Sequence, residues 1–154
     1  MPMKKMIPLF FLSFAWMACS EKKVDVETPA GIMLENARTL MLQKQYDAAR
    51  DSIELMRQLY PTAFSARSAG IIVMDSIELL AAQDSLAVLD SILQKERIIF
   101  EEIKKKNNRG ANSPFYNQKN KVFYLEQNFD EICAKVKFYL RKIEVDKEKN
   151  KPEI

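Results

Sequence analysis

The sequence predicts an all-α protein, made of antiparallel helical hairpins with about four helices plus a C-terminal helix. Glycine occurs only three times in 154 residues, whereas the helix-favouring Leu, Ala, Glu and Lys are plentiful. Apolar residues recur at steps of three and four over most of the chain, which is the period of a helix with one buried face. Loop-forming residues collect in one internal stretch, 107–118.

The first eighteen residues have the pattern of a secretory leader. Lys4 and Lys5 precede an apolar run over residues 6–18. As a helix, this run would reach about 20 Å at ~1.5 Å per residue, whereas the hydrocarbon core of a membrane is about 30 Å thick. We therefore interpret residues 1–18 as a signal peptide and not as a transmembrane anchor.

The leader ends with the small residue Ala18 followed by Cys19. This ending resembles the bacterial lipoprotein signal. The resemblance implies cleavage between Ala18 and Cys19, a diacylglyceryl group on the sulfur of Cys19 and a further acyl chain on its nitrogen. It also implies an exported protein held in the cell envelope by lipid, and Ser20 favours the outer over the inner membrane. The alternative is cleavage by the general signal peptidase, which would leave Cys19 as an ordinary thiol.

A short polar segment separates the expected lipid from the expected helical domain. We predict that residues 19–28 are the lipidated cysteine and a flexible tether, because they are mostly polar and charged. The helical domain is predicted over 29–106. Thr28 is positioned to cap its first helix, and Pro29 suits the first helical position, where a missing N–H costs nothing.

Two apolar stripes follow and predict an antiparallel helical hairpin. The first stripe consists of Met33, Ala37, Leu40 and Met41. The second consists of Tyr46, Ala49, Ile53, Met56 and Tyr60. Pro61 should end the second helix, because the residue before a proline avoids the α region.

The hairpin resembles one tetratricopeptide repeat, a helix-turn-helix unit of about 34 residues. The matching positions are the small residue of the first helix, the aromatic residue, the alanine, the bulky apolar residue and the closing proline, filled here by Ala37, Tyr46, Ala49, Ile53 and Pro61. The second unit is degenerate, because Gln83 stands where the next alanine is expected. The resemblance implies hairpins whose concave side offers a surface to a protein partner.

Two further helices are predicted before residue 106. Their stripes are Ala66, Ala69, Val73, Ile77 and Leu80, and then Leu86, Leu89, Leu93, Phe100 and Ile103. Asp84 and Ser85 are natural caps and predict the start of the second of these helices. The methionines Met33, Met41, Met56 and Met74 are expected to fill the core.

The pentapeptide Asp-Ser-Ile-Glu-Leu occurs at 51–55 and again at 75–79. A functional interpretation is a set of paired carboxylates on a shared face. We favour the simpler interpretation, in which Ile and Leu point inward and Asp and Glu face water in both copies.

The last third of the chain is predicted to contain the loop 107–118, a C-terminal helix over 119–145 and a disordered tail over 146–154. Val136, Phe138 and Leu140 alternate as in a strand, but the helical period runs longer. An aromatic cluster serves either to dock this helix or as a binding surface, and docking is favoured. Its members are Phe115, Tyr116, Phe123, Tyr124, Phe129, Phe138 and Tyr139.

The residue types limit the possible chemistry. The chain has no histidine, which excludes Ser-His-Asp, Cys-His and histidine-ligated zinc sites. Cys133 has no second cysteine to pair with if Cys19 is lipidated, so we expect a small core residue. Three scattered glycines cannot form a phosphate-binding loop. We therefore predict no catalytic residue, no cofactor and no metal, and expect that the protein is not an enzyme.

The charge distribution argues against nucleic acid as a partner. Removing Lys4 and Lys5 from the 24 basic residues leaves 22 against 21 acidic ones, and the two signs interleave along the chain. Nucleic-acid binders instead concentrate basic residues on one face.

Three functions remain open after the sequence is read. The leading one is a membrane-anchored scaffold that binds a protein partner, and it predicts exposed apolar side chains on the first and third of the predicted helices. The alternative is an extracytoplasmic carrier of a small apolar or glycan ligand, which predicts a cavity between helices. An enzyme that works through carboxylates is a third and weaker interpretation.

Overall fold

The computed structural model describes residues 24–106 and 113–149, and within these ranges it contains four helices and no strand. The helices are α1 (Glu27–Leu42), α2 (Tyr46–Leu59), α3 (Phe64–Lys105) and α4 (Pro114–Lys149). The all-α prediction with antiparallel helical hairpins is therefore confirmed. The leader and Cys19 lie outside the described residues.

Helix α1 begins two residues before the predicted start, at Glu27. The hydroxyl of Thr28 is not the cap. The carboxylate of Asp25 instead accepts the backbone N–H groups of Glu27 and Thr28, each at 3.1 Å. The carboxylate was the better cap because it can accept both N–H groups and carries the negative charge that a helix N-terminus favours.

The turn between α1 and α2 is a Schellman motif. The N–H of Gln45 donates to the carbonyl of Leu40 at 2.9 Å, and the N–H of Lys44 donates to Met41 at 3.0 Å. Lys44 occupies the left-handed position of this motif with a φ of 60°, where glycine is the usual residue. The side chain of Lys44 makes a contact described below that a glycine could not make.

Helices α1 and α2 pack on the first half of α3 and form a three-helix body. Its buried core consists of Ala30, Leu34, Ala37, Ala49, Ile53, Met56, Ala63, Ala66, Val73 and Ile77. Many of these residues are small, and Gly70 lets the helices approach so closely that an added Cβ would lie 3.1 Å from the Met56 side chain. As predicted, Met56 is buried in the core, and Met33, Met41 and Met74 pack against it.

The start of α1 lies beside the start of α3. The carboxylate of Glu27 accepts the N–H groups of Ser65 and Ala66, at 3.0 and 3.1 Å. Helix α1 therefore runs parallel to α3, and the turn between α1 and α2 lies part-way along α3.

The predicted break at Asp84 and Ser85 is wrong, because α3 is one continuous helix of 42 residues. At ~1.5 Å per residue it is about 63 Å long. No glycine or proline interrupts residues 71–105. The two residues expected to cap a new helix have other partners: Asp84 binds Lys44 and Tyr46, and the hydroxyl of Ser85 donates to the carbonyl of Ala81 at 2.8 Å.

Helix α4 packs antiparallel along α3, and among the described helices it packs on α3 alone. The seam follows a heptad pattern on both helices. On α3 it consists of Asp75, Leu79, Ala82, Leu86, Leu89, Leu93, Glu96, Phe100 and Ile103. On α4 it consists of Phe115, Gln118, Val122, Leu125, Phe129, Ile132, Val136, Tyr139 and Ile143. The rings of Phe100 and Phe115 lie 5.4 Å apart at one end.

Helix α4 is longer than the predicted helix over 119–145. It begins at Pro114, inside the predicted loop 107–118, and residues 146–149 of the predicted disordered tail continue the helix. Proline suits a first helical position, and Lys147 and Lys149 suit the last turn because they oppose the helix dipole. Residues 107–112 and 150–154 lie outside the described part of the chain.

The α1–α2 hairpin ends level with Asp84, and from there on the described structure is only two helices thick. We call residues 85–105 of α3 and 114–132 of α4 the two-helix arm. It is about 32 Å long at ~1.5 Å per residue.

Ile77→Ala is expected to lower the free energy of unfolding by about 3 kcal/mol, because Ile77 is fully buried between three helices and its loss leaves a cavity. Ile71→Ala is the matched control. Ile71 lies on the same helix and is 44 % exposed, so its loss should cost less than about 1 kcal/mol. Urea unfolding followed by circular dichroism measures both. Equal losses would contradict the packing described here.

Candidate functional site

An apolar groove lies between α3 and α4 at the base of the two-helix arm, and we call it the arm groove. Its volume is about 550 Å³, and it is lined by Asp84, Ser85, Val88, Leu89, Ile92, Asn128, Glu131 and Ile132. Aliphatic side chains form its floor, and carboxylates stand at its edges. The groove is open to solvent on one side.

The arm groove exists because one face of α3 changes its surroundings half-way along the helix. Val88 and Ile99 follow Ile77 by 11 and 22 residues, which is about three and about six helical turns, so the three side chains share a face. Ile77 is fully buried under the α1–α2 hairpin, whereas Val88 is 63 % exposed and Ile99 is 42 % exposed. The apolar face that holds the hairpin therefore continues uncovered along the arm.

The inner edge of the groove is fixed by Asp84. Its carboxylate accepts a hydrogen bond from the hydroxyl of Tyr46 at 2.7 Å and pairs with the ammonium of Lys44 at 2.9 Å. These two donors hold the pKa of Asp84 below its ordinary value, and the same contact raises the pKa of Tyr46. Asp84 therefore ties the α1–α2 turn to α3 at the point where the arm begins.

A polar network joins α2, α3 and α4 within the body. Glu78 pairs with Arg50 of α2 and with Lys135 of α4, the latter at 2.9 Å. Burial acts to raise the pKa of Glu78, but the hydrogen bonds from Arg50 and Lys135 outweigh it and hold that pKa below the ordinary value. Asp75, whose side chain is 5 % exposed, pairs with Lys142 of α4.

The expectation that both pentapeptides turn their acids to water holds only for the first copy. Asp51 and Glu54 are exposed, whereas Asp75 is buried and Glu78 is half-buried. The second copy differs because α4 packs over it. Both acids are paired with cations, and we assign them a structural role, since a buried ion pair at a coiled-coil seam fixes the register of the two helices.

A second polar contact fixes the register in the arm. Glu96 accepts a hydrogen bond from the amide of Gln118 and pairs with Lys121, each at 2.7 Å. The bond from Gln118, followed by that from Lys121, lowers the pKa of Glu96. The seam between α3 and α4 is therefore held by polar contacts near both ends.

The aromatic cluster divides between the two interpretations left open by the sequence. The half-buried Phe115, Phe129 and Tyr139 lie at the seam with α3, as docking predicts. The exposed members are Tyr116, Phe123, Tyr124 and Phe138. Cys133 is a half-buried free thiol, and Ala18 and Cys19 are outside the described residues.

Sequence reasoning singled out Asp84, Ser85 and Leu89 for other roles and missed Val88 and Ile92 of the arm groove. The stripe assigned to this part of α3 was Leu86, Leu89 and Leu93, which faces α4. Val88 and Ile99 form a second stripe that is offset from it, and the presence of two apolar stripes on one helix was the available signal.

No group of three or more Cys, Asp or Glu side chains in residues 24–106 and 113–149 is placed to hold a metal ion. In the same ranges, none of the helices has the length and apolar character needed to cross a membrane.

Comparison with known proteins gave no match: no protein-family model fits the chain, and searches of curated proteins and of solved structures found nothing similar.

Lys142→Met is expected to lower the free energy of unfolding by about 2–3 kcal/mol, because the buried carboxylate of Asp75 would lose its cation. The double variant Asp75→Leu with Lys142→Met should regain most of this loss, since neither charge remains. Lys137→Met, at an exposed position of α4, is the control and should change stability by less than about 0.5 kcal/mol. If the double variant is as unstable as Lys142→Met, an unpaired carboxylate at Asp75 is not the cause of the loss.

Acidification is expected to destabilise the protein through Glu78. The pKa of Glu78 in the folded state lies below its ordinary value of 4.5, so the stabilisation is complete above that value and is lost as the pH falls through the folded pKa. Glu78→Gln should therefore flatten the fall in the free energy of unfolding between neutral pH and about pH 3. Glu54→Gln, at the same place in the exposed first pentapeptide, is the control. A wild-type slope in Glu78→Gln would contradict the assignment.

Proposed function

We propose that this protein is a membrane-anchored lipoprotein of the bacterial cell envelope that acts as a helical protein-interaction scaffold. One observation carries the proposal: the face of α3 that buries Ile77 under the α1–α2 hairpin continues along the arm with Val88 and Ile99 exposed. A face that already binds one helical hairpin is suited to bind another helical element, by the same apolar packing.

The exposed apolar side chains of the arm support a binding role. Val88, Ile92, Ile98 and Ile99 are all exposed within about three turns of α3. Contiguous apolar patches on a protein surface mark interaction sites, whereas single exposed apolar residues do not. The resemblance of residues 33–61 to a tetratricopeptide repeat supports the same role, since repeats of that kind bury their apolar faces by stacking on neighbours.

The lipid on Cys19 would set the orientation of the scaffold. Seven residues separate Cys19 from Glu27, and the span between the two reaches at most about 28 Å. Glu27 binds the start of α3, so the body would stand next to the membrane. The tip of α3 is about 60 Å further along the helix axis, so the arm could reach other envelope proteins. Ser20 favours the outer membrane.

A carrier of a small apolar ligand is the second candidate, and the size of the arm groove favours it. A volume of about 550 Å³ lies within the ~300–1,000 Å³ range of small-molecule pockets. Native mass spectrometry of the purified protein separates the two roles. A carrier should retain a small ligand that Leu89→Trp, which would fill the groove, displaces.

One experiment in growing cells tests the proposal. The chain carries a photo-reactive amino acid in place of Val88, and the cells are fed a labelled fatty acid. Mass spectrometry should find the label on Cys19 and no residues 1–18. Irradiation should give one discrete adduct, because the exposed face of the arm would lie against its partner in the envelope. In Cys19→Ala both the label and most of the adduct should disappear.

The photo-reactive amino acid in place of Phe138 is the matched control. Phe138 lies on α4 and is 59 % exposed, close to the value for Val88, but it is outside the arm. An unlabelled wild-type chain would refute the lipoprotein assignment. Equal adduct yields at positions 88 and 138, or none at position 88, would refute the arm as the binding surface.

A further inference from the structure

We propose that the occupant of the arm groove is a second copy of this chain, so that two arms pack antiparallel into a four-helix bundle. The proposal rests on the proposed role of the arm as a binding surface, and it names the partner. The shape of the arm, the area it offers and the placement of its charges support this arrangement.

The shape of the arm fits its own copy. Within residues 24–106 and 113–149, the α1–α2 hairpin covers α3 as far as Asp84, and no described helix continues this cover along the arm, over a length of about 32 Å. We call this uncovered length the step. The object that would fill this step has to be about 32 Å long, and the arm of a second copy has that length. Antiparallel packing lets each arm lie in the step of the other, with its tip against the α1–α2 turn of its partner. The two-fold axis then passes close to Lys95, the middle of residues 85–105.

The area is sufficient for a stable dimer. Two helices side by side, each about 10 Å across, present a face about 20 Å wide. Over about 32 Å this gives roughly 600 Å² per copy and roughly 1,200 Å² in total, which reaches the lower end of specific protein interfaces. A single partner helix would cover only about half of this face. Each copy contributes Val88, Ile92 and Ile99 to the centre of the contact.

The charges favour the antiparallel arrangement. The base of the arm groove carries the carboxylates of Asp84 and Glu131, of which Asp84 already pairs with Lys44 of its own chain. At the tip, Glu101 and Glu102 precede the three lysines at 104–106, and Lys104 pairs with Glu101, so that the excess over residues 101–106 is one positive charge. Antiparallel packing places the basic tip of one copy beside the acidic base of the other, whereas parallel packing places ends of the same sign together. Lys95 would lie at the axis, where its stem can cover apolar surface while its ammonium reaches water.

Disulfide crosslinking of the full-length chain in the cell envelope tests the dimer. Two differently tagged copies are produced together in a Cys133→Ser background, which also serves as the blank. Lys95→Cys should give a disulfide-linked species of twice the chain mass that carries both tags, because the two positions meet at the axis. Val88→Cys alone should give none, since two copies of Val88 would be about 21 Å apart along the bundle.

The antiparallel geometry also predicts which mixed pair of cysteine variants forms a disulfide. A copy with Val88→Cys produced with a copy with Glu102→Cys should crosslink, because these positions lie at equal distances on either side of Lys95. Disulfides from both single variants would instead indicate parallel packing and overturn the proposal.

Charged substitutions separate the dimer from the wider proposal. Ile99→Asp in the Lys95→Cys chain should lower the yield of the doubly tagged species at least tenfold, whereas Phe138→Asp, on α4 outside the arm, should leave it unchanged. Thermal unfolding checks that both variants are folded. A disulfide-linked species that carries only one of the two tags, and whose mass is not twice the chain mass, would overturn the dimer and leave the scaffold standing. If Lys95→Cys gives no doubly tagged species, the dimer is overturned, and the photo-crosslink at position 88 decides the scaffold independently.

Discussion

The continuity of α3 is the constraint on which the rest of the structure depends. The α1–α2 hairpin and α4 pack on different faces of this one helix and not on each other. Glu78 links the two layers, because its carboxylate pairs with Arg50 of α2 and with Lys135 of α4. A break in α3 at Asp84, as the sequence suggested, would have separated the body from the arm. The unbroken helix instead places a covered and an uncovered stretch of the same face in line.

The helices could be predicted from the sequence because their period and their stop signals are local. The hairpin of α1 and α2 follows from two stripes and from Pro61. The prediction failed where a side chain that could have capped a helix locally instead binds residues that are distant in the sequence. Asp84 has the residue type of a cap, but it binds Lys44 and Tyr46 across the bundle. No local pattern reports such partners, and a sequence without glycine or proline over 71–105 was the better guide.

The surroundings of the candidate site could not be predicted in the same way. The two Asp-Ser-Ile-Glu-Leu copies are identical, and yet Asp51 faces water while Asp75 is buried under α4. Burial of this kind depends on which helix packs on which face, and identical sequences carry no information about that. Val88 shows the converse case. Its spacing from Ile77 predicts that both lie on the same face of α3. Val88 is nevertheless exposed, because the α1–α2 hairpin ends before it.

The stability of the arm and its proposed function both depend on how little of its apolar surface is covered by other helices. Two helices that pack only on each other bury little apolar surface. In the arm only Leu93 and Val122 are buried seam residues, whereas Phe100, Leu125 and Phe129 stay half-buried. Each Å² of apolar surface that a partner removes from water contributes about 25 cal/mol, before the cost of association is subtracted. A third and fourth helix laid along Val88 would add such burial to the arm. Binding would therefore stabilise the element that performs it.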